Sequence, residues 1–458
     1  MTDPAAASAA RAWPAVLTVE PIGGARGEIR LPGSKSMSNR ALLLAALAQG
    51  QTELTGLLEA DDTRVMIDAL HALGVRVERE GDQARVIGCG GQFPVRAAEL
   101  HLGNAGTAMR PLAAALAFAG GQYQLDGVAR MRERPIGDLV DALNAMGARV
   151  RYLGKPGYPP LLIEPMAPGA AAAAGAIRVR GDVSSQFLSG LLMAAPGQAP
   201  RAGLVIEVEG ALISQPYVAM TVAMMRQFGA AVQADGTRFV VAPGVYRAPG
   251  HYAIEGDASG ASYFLALGAI AGGPVRVRGV GSASVQGDLA FAPLLQAMGA
   301  RITMGADWIE AAAPDPSRGG GRLQPIDTDA TAIPDAAMTA AVLALFTGDA
   351  AGPGGSTRLR GIGSWRVKET DRIAAMAAEL GKLGAAVASG PDWIAVTAPA
   401  QLREARIDTY DDHRMAMCLA LAAARGVPVH IRDPRCVSKT FPDFFDQLER
   451  LCAPGRRP

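Results

Sequence analysis

Lysine is the scarce charge in this 458-residue chain: Lys and Arg together number 44, and only Lys35, Lys155, Lys368, Lys382 and Lys439 are lysines. A chain that uses Arg for generic surface charge keeps Lys where a compact ammonium or a transferable proton is wanted. Lys35, Lys368 and Lys439 each sit in a dense polar motif. Cysteine is as sparse. Cys89, Cys418, Cys436 and Cys452 have neither paired metal-ligand spacing nor the density of a disulfide framework, which predicts a reducing, cytoplasmic setting. Net charge is only +1, so no overall field draws nucleic acid or an anionic membrane, and a bound anion must be caught by a local cluster. No apolar run reaches the roughly 20 residues of a membrane span. The Ala-rich start, residues 4–10 up to Arg11 and Pro14, has no charged segment followed by an apolar one, which predicts a frayed tail and not a signal peptide. His71, His101, His251 and His430 show no metal-ligand spacing.

What is present is apolar and repetitive. Hydrophobic residues make up 49% and charged residues 19%, enough for two or three globular domains. Six segments open with a polar cluster and run on as a helix of small apolar residues. They begin near Ser38, Thr107, Ser184, Asp257, Asp335 and Asp412, at intervals of 69, 77, 73, 78 and 77 residues. A helix apolar on every face is a buried one, and Ser, Thr or Asp at its start predicts an N-cap. Each of the first five is followed by an amphipathic helix closed by glycine, at Gly74, Gly147, Gly229, Gly299 and Gly384. Hairpin-like strand pairs come next, as in VQADGTRFVVAP, ITMGADWIEAAAP and VASGPDWIAVTAP. Six α/β units of strand, buried helix, strand, amphipathic helix and hairpin are implied. They are too long for a solenoid repeat, which favours two globular domains of three units with a boundary near Ala253–Gly256. An opening strand over Leu17–Arg30 is expected to pair with the C-terminal half.

Unpaired N–H groups and the macrodipole make a helix start attractive to anions. Two sets of three such starts facing each other would enclose an anion-attracting cleft, which points to a phosphorylated or carboxylated substrate. The stretch Pro32-Gly33-Ser34-Lys35-Ser36-Met37-Ser38-Asn39-Arg40 places two cations at a positive helix end, unfavourable without an anion. It lacks the glycine-lysine spacing of a nucleotide phosphate loop.

The strings LPGSKSMSNRALLLAALA, LGNAGTAMRPLAAALA, RMRERPIGDLVDAL, VSSQFLSGLLM, EGDASGASYFLA, IPDAAMT, WRVKETDR, DDHRMAMCLALA and SKTFPDFF occur in that order. Together they resemble the signature series of the 5-enolpyruvylshikimate-3-phosphate (EPSP) synthase family, in its bacterial glyphosate-sensitive class. The likeness runs from about residue 17 to about residue 450. It implies the enolpyruvyl transferase fold, an inverse α/β barrel of two domains with three βαβαββ units each. Residues 34–254 then form one domain, and residues 1–33 with 255–458 the other. It also implies the shikimate-pathway reaction: phosphoenolpyruvate gives its enolpyruvyl group to the 5-hydroxyl of shikimate 3-phosphate, and phosphate leaves. No cofactor and no metal are implied. Glyphosate is expected as a competitor, and the chain is expected to act as a cytoplasmic monomer with no nucleic-acid or membrane partner.

Carried over by position, the likeness gives each motif residue a role. Lys35, Ser36 and Arg40 would hold the shikimate carboxylate and hydroxyls. Ser184, Ser185, Ser214 and Lys368 would cradle the 3-phosphate, with Tyr217 along the ring and Ser364 nearby. Gln186 would lie between the substrates. Phosphoenolpyruvate would be held by Lys35, Arg134, Arg372, Arg414 and Lys439, with Asn104, Gly106 and His413. Asp335 would be the base at the 5-hydroxyl, Glu369 the proton shuttle at C3, and Lys35 the acid or electrostatic partner.

Two positions depart from the family pattern. Ser364 stands where Asn is usual, and Asp411 adds a negative charge where Asn is common. Three rivals remain. A UDP-N-acetylglucosamine enolpyruvyl transferase would carry a loop cysteine that has no counterpart in these motifs. A non-catalytic repeat scaffold needs no acid–base pair, yet Asp335, Glu369 and Lys35 occur in three separate motifs. A nucleotide hydrolase would need magnesium.

Overall fold

The protein was analysed as a computed structural model describing residues 13–166, 176–199, 201–317, 321–349 and 352–454; the Ala-rich stretch 4–10 and Arg11 lie outside these. Among the described residues twelve α-helices follow one another: α1 (Lys35–Leu47), α2 (Asp61–Ala72), α3 (Gly106–Leu116), α4 (Gly137–Ala145), α5 (Ser185–Ala194), α6 (Gln215–Gln227), α7 (Ala258–Ile270), α8 (Phe291–Ala297), α9 (Ala337–Leu343), α10 (Arg372–Lys382), α11 (His413–Ala420) and α12 (Phe444–Leu451). The odd-numbered helices are the six apolar runs and are buried along nearly their whole length. The even-numbered helices cover them, one apolar face inward. The five predicted closing glycines all adopt a left-handed conformation, with φ between 82° and 101°.

The second unit shows the plan. Ala97–His101 runs parallel to Gln122–Asp126, Leu161–Glu164 pairs antiparallel with the latter, and Arg149–Tyr152 completes the hairpin. The third and fifth units repeat this order of strands. The first and fourth borrow their opening strand from elsewhere in the chain. His251–Ala253 joins the first sheet beside Gln49–Thr55, and Ile22–Arg30 joins the fourth beside Gly272–Arg278. In the sixth, Val16–Val19 pairs with Val429–Arg432 in place of a hairpin. The expected single opening strand is therefore two, in different sheets. Pro21, without an N–H to offer, stands at the break.

The apolar interior falls into two clusters. One runs from Met37 to Ile254; the other unites Ile22–Leu31 with Ala258–Leu451. The chain passes between them twice, and the two passages touch. Gly33 and Gly256 form a β-bridge, the Ser34 N–H donates to Glu255 O at 2.8 Å, and the Asp257 N–H donates to Pro32 O at 2.9 Å.

The N-cap expectations held for half of the buried helices. Ser184, Asp257 and Asp412 accept a backbone N–H as caps. Ser38 and Thr107 lie inside helices that begin earlier, at Lys35 and Gly106. The polar cluster therefore occupies the first helical turn itself and faces the space between the two cores. Asp335 caps nothing; its carboxylate is taken by cations from other elements.

A Cβ on Gly33 would sit 1.9 Å from Gly56 O, a backbone atom with nowhere to go. Gly33→Ala is expected to cost about 3 kcal/mol or more of stability, read as a lowered urea midpoint with an unchanged slope.

Candidate active site

The starts of the buried helices converge where the two cores meet, around a cavity of about 50 Å³. One wall is built by Lys35, Ser36 and Arg40 of α1, Gly106 of α3 with Arg134 beside it, Ser184, Ser185 and Gln186 at the start of α5, and Ser214 and Tyr217 at the start of α6. The other wall brings Asp335, Ser364, Lys368 and Glu369. Asn104, Arg372, Arg414 and Lys439 do not line this cavity but are bonded to residues that do, whereas His413 neither lines it nor makes such a bond among the described residues.

Arg372, at the start of α10 and 1% exposed, organises the far wall. It donates to Asp335 Oδ1 at 2.8 Å, to Glu369 Oε2 at 3.0 Å and to Asp412 Oδ2 at 2.7 Å. Arg414 Nη2 lies 3.0 Å from Asp335 Oδ2, and Lys368 Nζ is 3.5 Å from Asp335 Oδ1. Trp365, fully buried, anchors the adjoining turn by donating to Pro334 O at 2.5 Å. Burial pushes the Asp335 carboxyl up, but Arg414, Lys368 and Arg372 outweigh it and hold the group well below the usual carboxylate range. Glu369 behaves alike: burial is outweighed by Arg372, Lys35 and Arg134. Both are ionised at neutral pH.

The near wall is richer in unpaired positive charge. Arg40 donates to Thr221 Oγ1, Ser36 O and Ser189 Oγ, all neutral, and burial lowers its pKa to about 10. Arg110 Nη2 donates to Pro135 O, and Nη1 lies 3.3 Å from Met131 Sδ. Among the described residues neither guanidinium has a carboxylate partner. Arg134 reaches only Asn104, through its backbone and side-chain oxygens at 3.0 Å. Burial pulls the Lys35 ammonium below its usual range, although Asp62 at 3.7 Å and Glu369 at 3.8 Å support its charge. Ser184 accepts the Gln186 N–H, while Ser214, left-handed at φ 52°, makes no capping bond with its side chain.

Several contacts hold the walls together. Arg130 donates to the backbone oxygens of Lys368 and Glu369 at 3.0 Å. Lys439 donates to Asp62 Oδ1 at 2.7 Å and to Asn104 O at 3.1 Å, and Ser438 to Asp61 at 2.7 Å. The cleft is closed.

The nine ordered strings agree with the comparisons to known proteins. The family described as EPSP synthase (3-phosphoshikimate 1-carboxyvinyltransferase) matches residues 19–448. A 3-phosphoshikimate 1-carboxyvinyltransferase from Burkholderia vietnamiensis is 57% identical over 439 residues, covering 95% of this chain and 99% of that protein. One from Bordetella petrii is 59% identical over 428 residues, covering 92% and 94%. The chain belongs to the EPSP synthase family. It is a transferase of the shikimate pathway that moves the enolpyruvyl group of phosphoenolpyruvate to the 5-hydroxyl of shikimate 3-phosphate and releases phosphate. The EPSP synthase structure from Acinetobacter baumannii superposes with a TM-score of 0.75 at 26% identity, over 95% of this chain and 98% of that one. The enolpyruvyl transferase NikO from Streptomyces tendae, at 19% identity and a TM-score of 0.71, shares the fold over 95% and 97%.

Among the EPSP synthase signature residues, Arg414 pairs with Asp335, and the buried Arg372 pairs with both Glu369 and Asp335. His413 is fully buried with neither ring nitrogen bonded, and burial, with Lys35 and Arg414 nearby, keeps it neutral. Asp412 Oδ1 lies 3.7 Å from its Nδ1. Reading the motifs missed Asp62 and Arg110, which also line the cavity. Arg110 was detectable, since an arginine amid the apolar run AMRPLAAALA needs a reason to be buried.

Two tests follow from the cavity wall. A Cβ on Gly106 would approach Arg134 Nη2 to 2.7 Å and Gln186 Oε1 to 3.1 Å. Gly106→Ala is expected to raise the KM for phosphoenolpyruvate by about tenfold with little change in thermal midpoint, the guanidinium being displaced. Asp411 is left-handed at φ 54°, a conformation Asn also tolerates, and its charge acts on Lys439. Asp411→Asn is expected to keep the fold and to lower that KM about twofold; an unchanged KM removes any influence of the charge.

Proposed function

We propose that the two walls divide the reaction between them. Lys35, Ser36 and Arg40 take the shikimate carboxylate and hydroxyls, and Ser184, Ser185, Ser214 and Lys368 the 3-phosphate, with Tyr217 and Ser364 alongside. Phosphoenolpyruvate lies beside Gln186, held by Lys35, Arg134, Arg372, Arg414 and Lys439 and by the Asn104–Gly106 backbone, with His413 behind it. What carries this reading is the surplus of buried cations: among the described residues Arg40 and Arg110 have no acidic partner, and Arg134 bonds only to amide oxygens. A buried guanidinium without a counter-charge is costly, and an incoming carboxylate or phosphate removes that cost.

Asp335 takes the 5-hydroxyl proton as the oxygen attacks C2 of phosphoenolpyruvate. Glu369, beside Lys35, carries the proton to and from C3 through the tetrahedral adduct. Fixed positive charge in a water-poor cleft then stabilises the departing phosphate. An ionised Asp335 suits a base. Glu369, also depressed, protonates C3 by relaying a proton from Lys35, whose own hold on it burial has loosened. Residues 34–254 form one domain and residues 1–33 with 255–458 the other. They part at the Gly33–Gly256 crossing and close on shikimate 3-phosphate, completing the phosphoenolpyruvate site. The enzyme acts as a cytoplasmic monomer of the glyphosate-sensitive class. Among the described residues no helix is long and apolar enough to cross a membrane.

Phosphate release, followed in chelator with and without glyphosate, tests the whole. Release is expected only with both substrates present and to be suppressed by glyphosate; insensitivity removes the class assignment. Asp335→Asn is expected to lower kcat by about 10² to 10⁴ at nearly unchanged KM, and a smaller effect on kcat rules Asp335 out as the base.

A further inference from the structure

Behind the proposed base lies a second buried carboxylate that the reaction as described leaves unused. Asp288 is 4% exposed and comes from the turn before α8. The Tyr217 hydroxyl stands between the two acids, 3.0 Å from Asp288 Oδ2 and 3.3 Å from Asp335 Oδ2. Its single hydrogen serves one of them at a time. We propose that Asp335, Tyr217 and Asp288 form a proton relay, in which Asp288 receives the hydrogen that Asp335 takes from the substrate hydroxyl. The proposal rests on Asp335 as the base.

The two carboxylates differ in their surroundings. Asp335 touches three cations, whereas among the described residues Asp288 has no ion pair. The groups facing Asp288 are Tyr217 of α6, Ser259 and Asp257 at the start of α7, Asp335 ahead of α9, and Arg414 of α11. Ser259 Oγ donates to Asp288 Oδ2, the oxygen that Tyr217 also reaches. Oδ1 is buried with no partner, a position where a charge is costly and a proton is not. The adjoining cavity, about 10 Å³, has room for roughly one water. Burial, with Asp335 close by, raises the Asp288 pKa to about 6, while the cations hold Asp335 well below the ordinary range. A proton is therefore held more firmly on Asp288 than on Asp335.

The step balances without any further reactant. As the 5-oxygen bonds to C2, its hydrogen passes to Asp335 Oδ2. Asp335 yields it to the Tyr217 oxygen while the hydrogen already on Tyr217 moves to Asp288 Oδ2. Asp335 is again a carboxylate, Tyr217 is again neutral, and Asp288 is a neutral acid. The same chain in reverse returns the proton to Asp335, from which it leaves with the phosphate product, so the hydrogen lost by the 5-hydroxyl departs with the leaving group before the next turnover. Asp288 accepts only when ionised, so turnover falls as pH drops through about 6. As a group acting through Tyr217, Asp288 is a positioning and relay residue that does not touch substrate.

The test is kcat against pH at saturating substrates, for the wild type and for Asp288→Asn, Ser259→Ala and Asp335→Asn. Substrate ionisations are common to all, so differences between profiles are the readout. Asp288→Asn is expected to lose about tenfold or more in kcat near pH 7.5, with both KM values within about twofold, and to lose the acid limb that the wild type shows near pH 6. Ser259→Ala removes a hydrogen bond that favours the ionised carboxylate, so its limb is expected to move to higher pH. A wild-type limb in Asp288→Asn overturns the relay, whatever its kcat. If that variant does not fold, an unmoved limb in Ser259→Ala overturns it instead. Asp335→Asn separates the two ideas: near wild-type turnover there sinks the base assignment, whereas an inactive Asp335→Asn beside an unaltered Asp288→Asn sinks the relay alone.

Discussion

One guanidinium, that of Arg372, holds three carboxylates that come from three separate parts of the chain: Asp335, Glu369 and Asp412. Asp412 in turn caps α11 and so sets where Arg414 enters the cleft. The proposed base, the proposed shuttle and two substrate-side cations are thereby placed by a single buried group. A buried ion network of this kind contributes little net stability, because desolvation offsets most of the attraction. Its value lies in geometry, since removing one member leaves buried charge that the remaining partners compensate less well.

The rest of the cleft is arranged around a deliberate imbalance of charge. Opposite the satisfied network, Arg40 and Arg110 are buried against neutral oxygens, hydroxyls and a thioether. Helix starts add their own positive potential on the same side. A site with this imbalance is most comfortable when occupied by anions. Recognition of phosphate and carboxylate, and stabilisation of a leaving phosphate, therefore come from the same source of charge. Lys35 and Lys439 sit between the two regimes, held to Asp62 and Glu369 by ion pairs that an incoming anion can replace.

That arrangement depends on how the chain passes between its two cores. His251–Ala253 completes the first sheet and Ile22–Arg30 the fourth, so each core is closed by a strand from the far side of a crossing. The crossings meet at Gly33 and Gly256, where side chains have no room. Lys35 lies two residues after Gly33 and Asp257 follows Gly256, so the crossing leads at once into the first turn of α1 and of α7.

Much of this was legible in the order of residues. Burial of a helix follows from composition, so the six apolar runs identified the odd-numbered helices, and the closing glycines identified five of the covering ones. The polar strings at the helix starts marked Lys35 and Asp335, because local polarity beside an apolar run is visible without coordinates, whereas Glu369 and Arg372 were named by the likeness of WRVKETDR to the EPSP synthase signatures. Partnership is not local. That Asp335 is shared by Arg372, Arg414 and Lys368, that His413 is unbonded, and that Asp288 reaches Asp335 through Tyr217 all depend on residues tens to more than a hundred positions apart. The sequence by itself determined the number of units, their buried helices and the cationic character of the cleft, since these arise from residue type and short-range spacing. Only the tertiary structure decided which strand closes which sheet and which carboxylate each cation holds, since those are set by long-range packing that brings distant residues within hydrogen-bond reach.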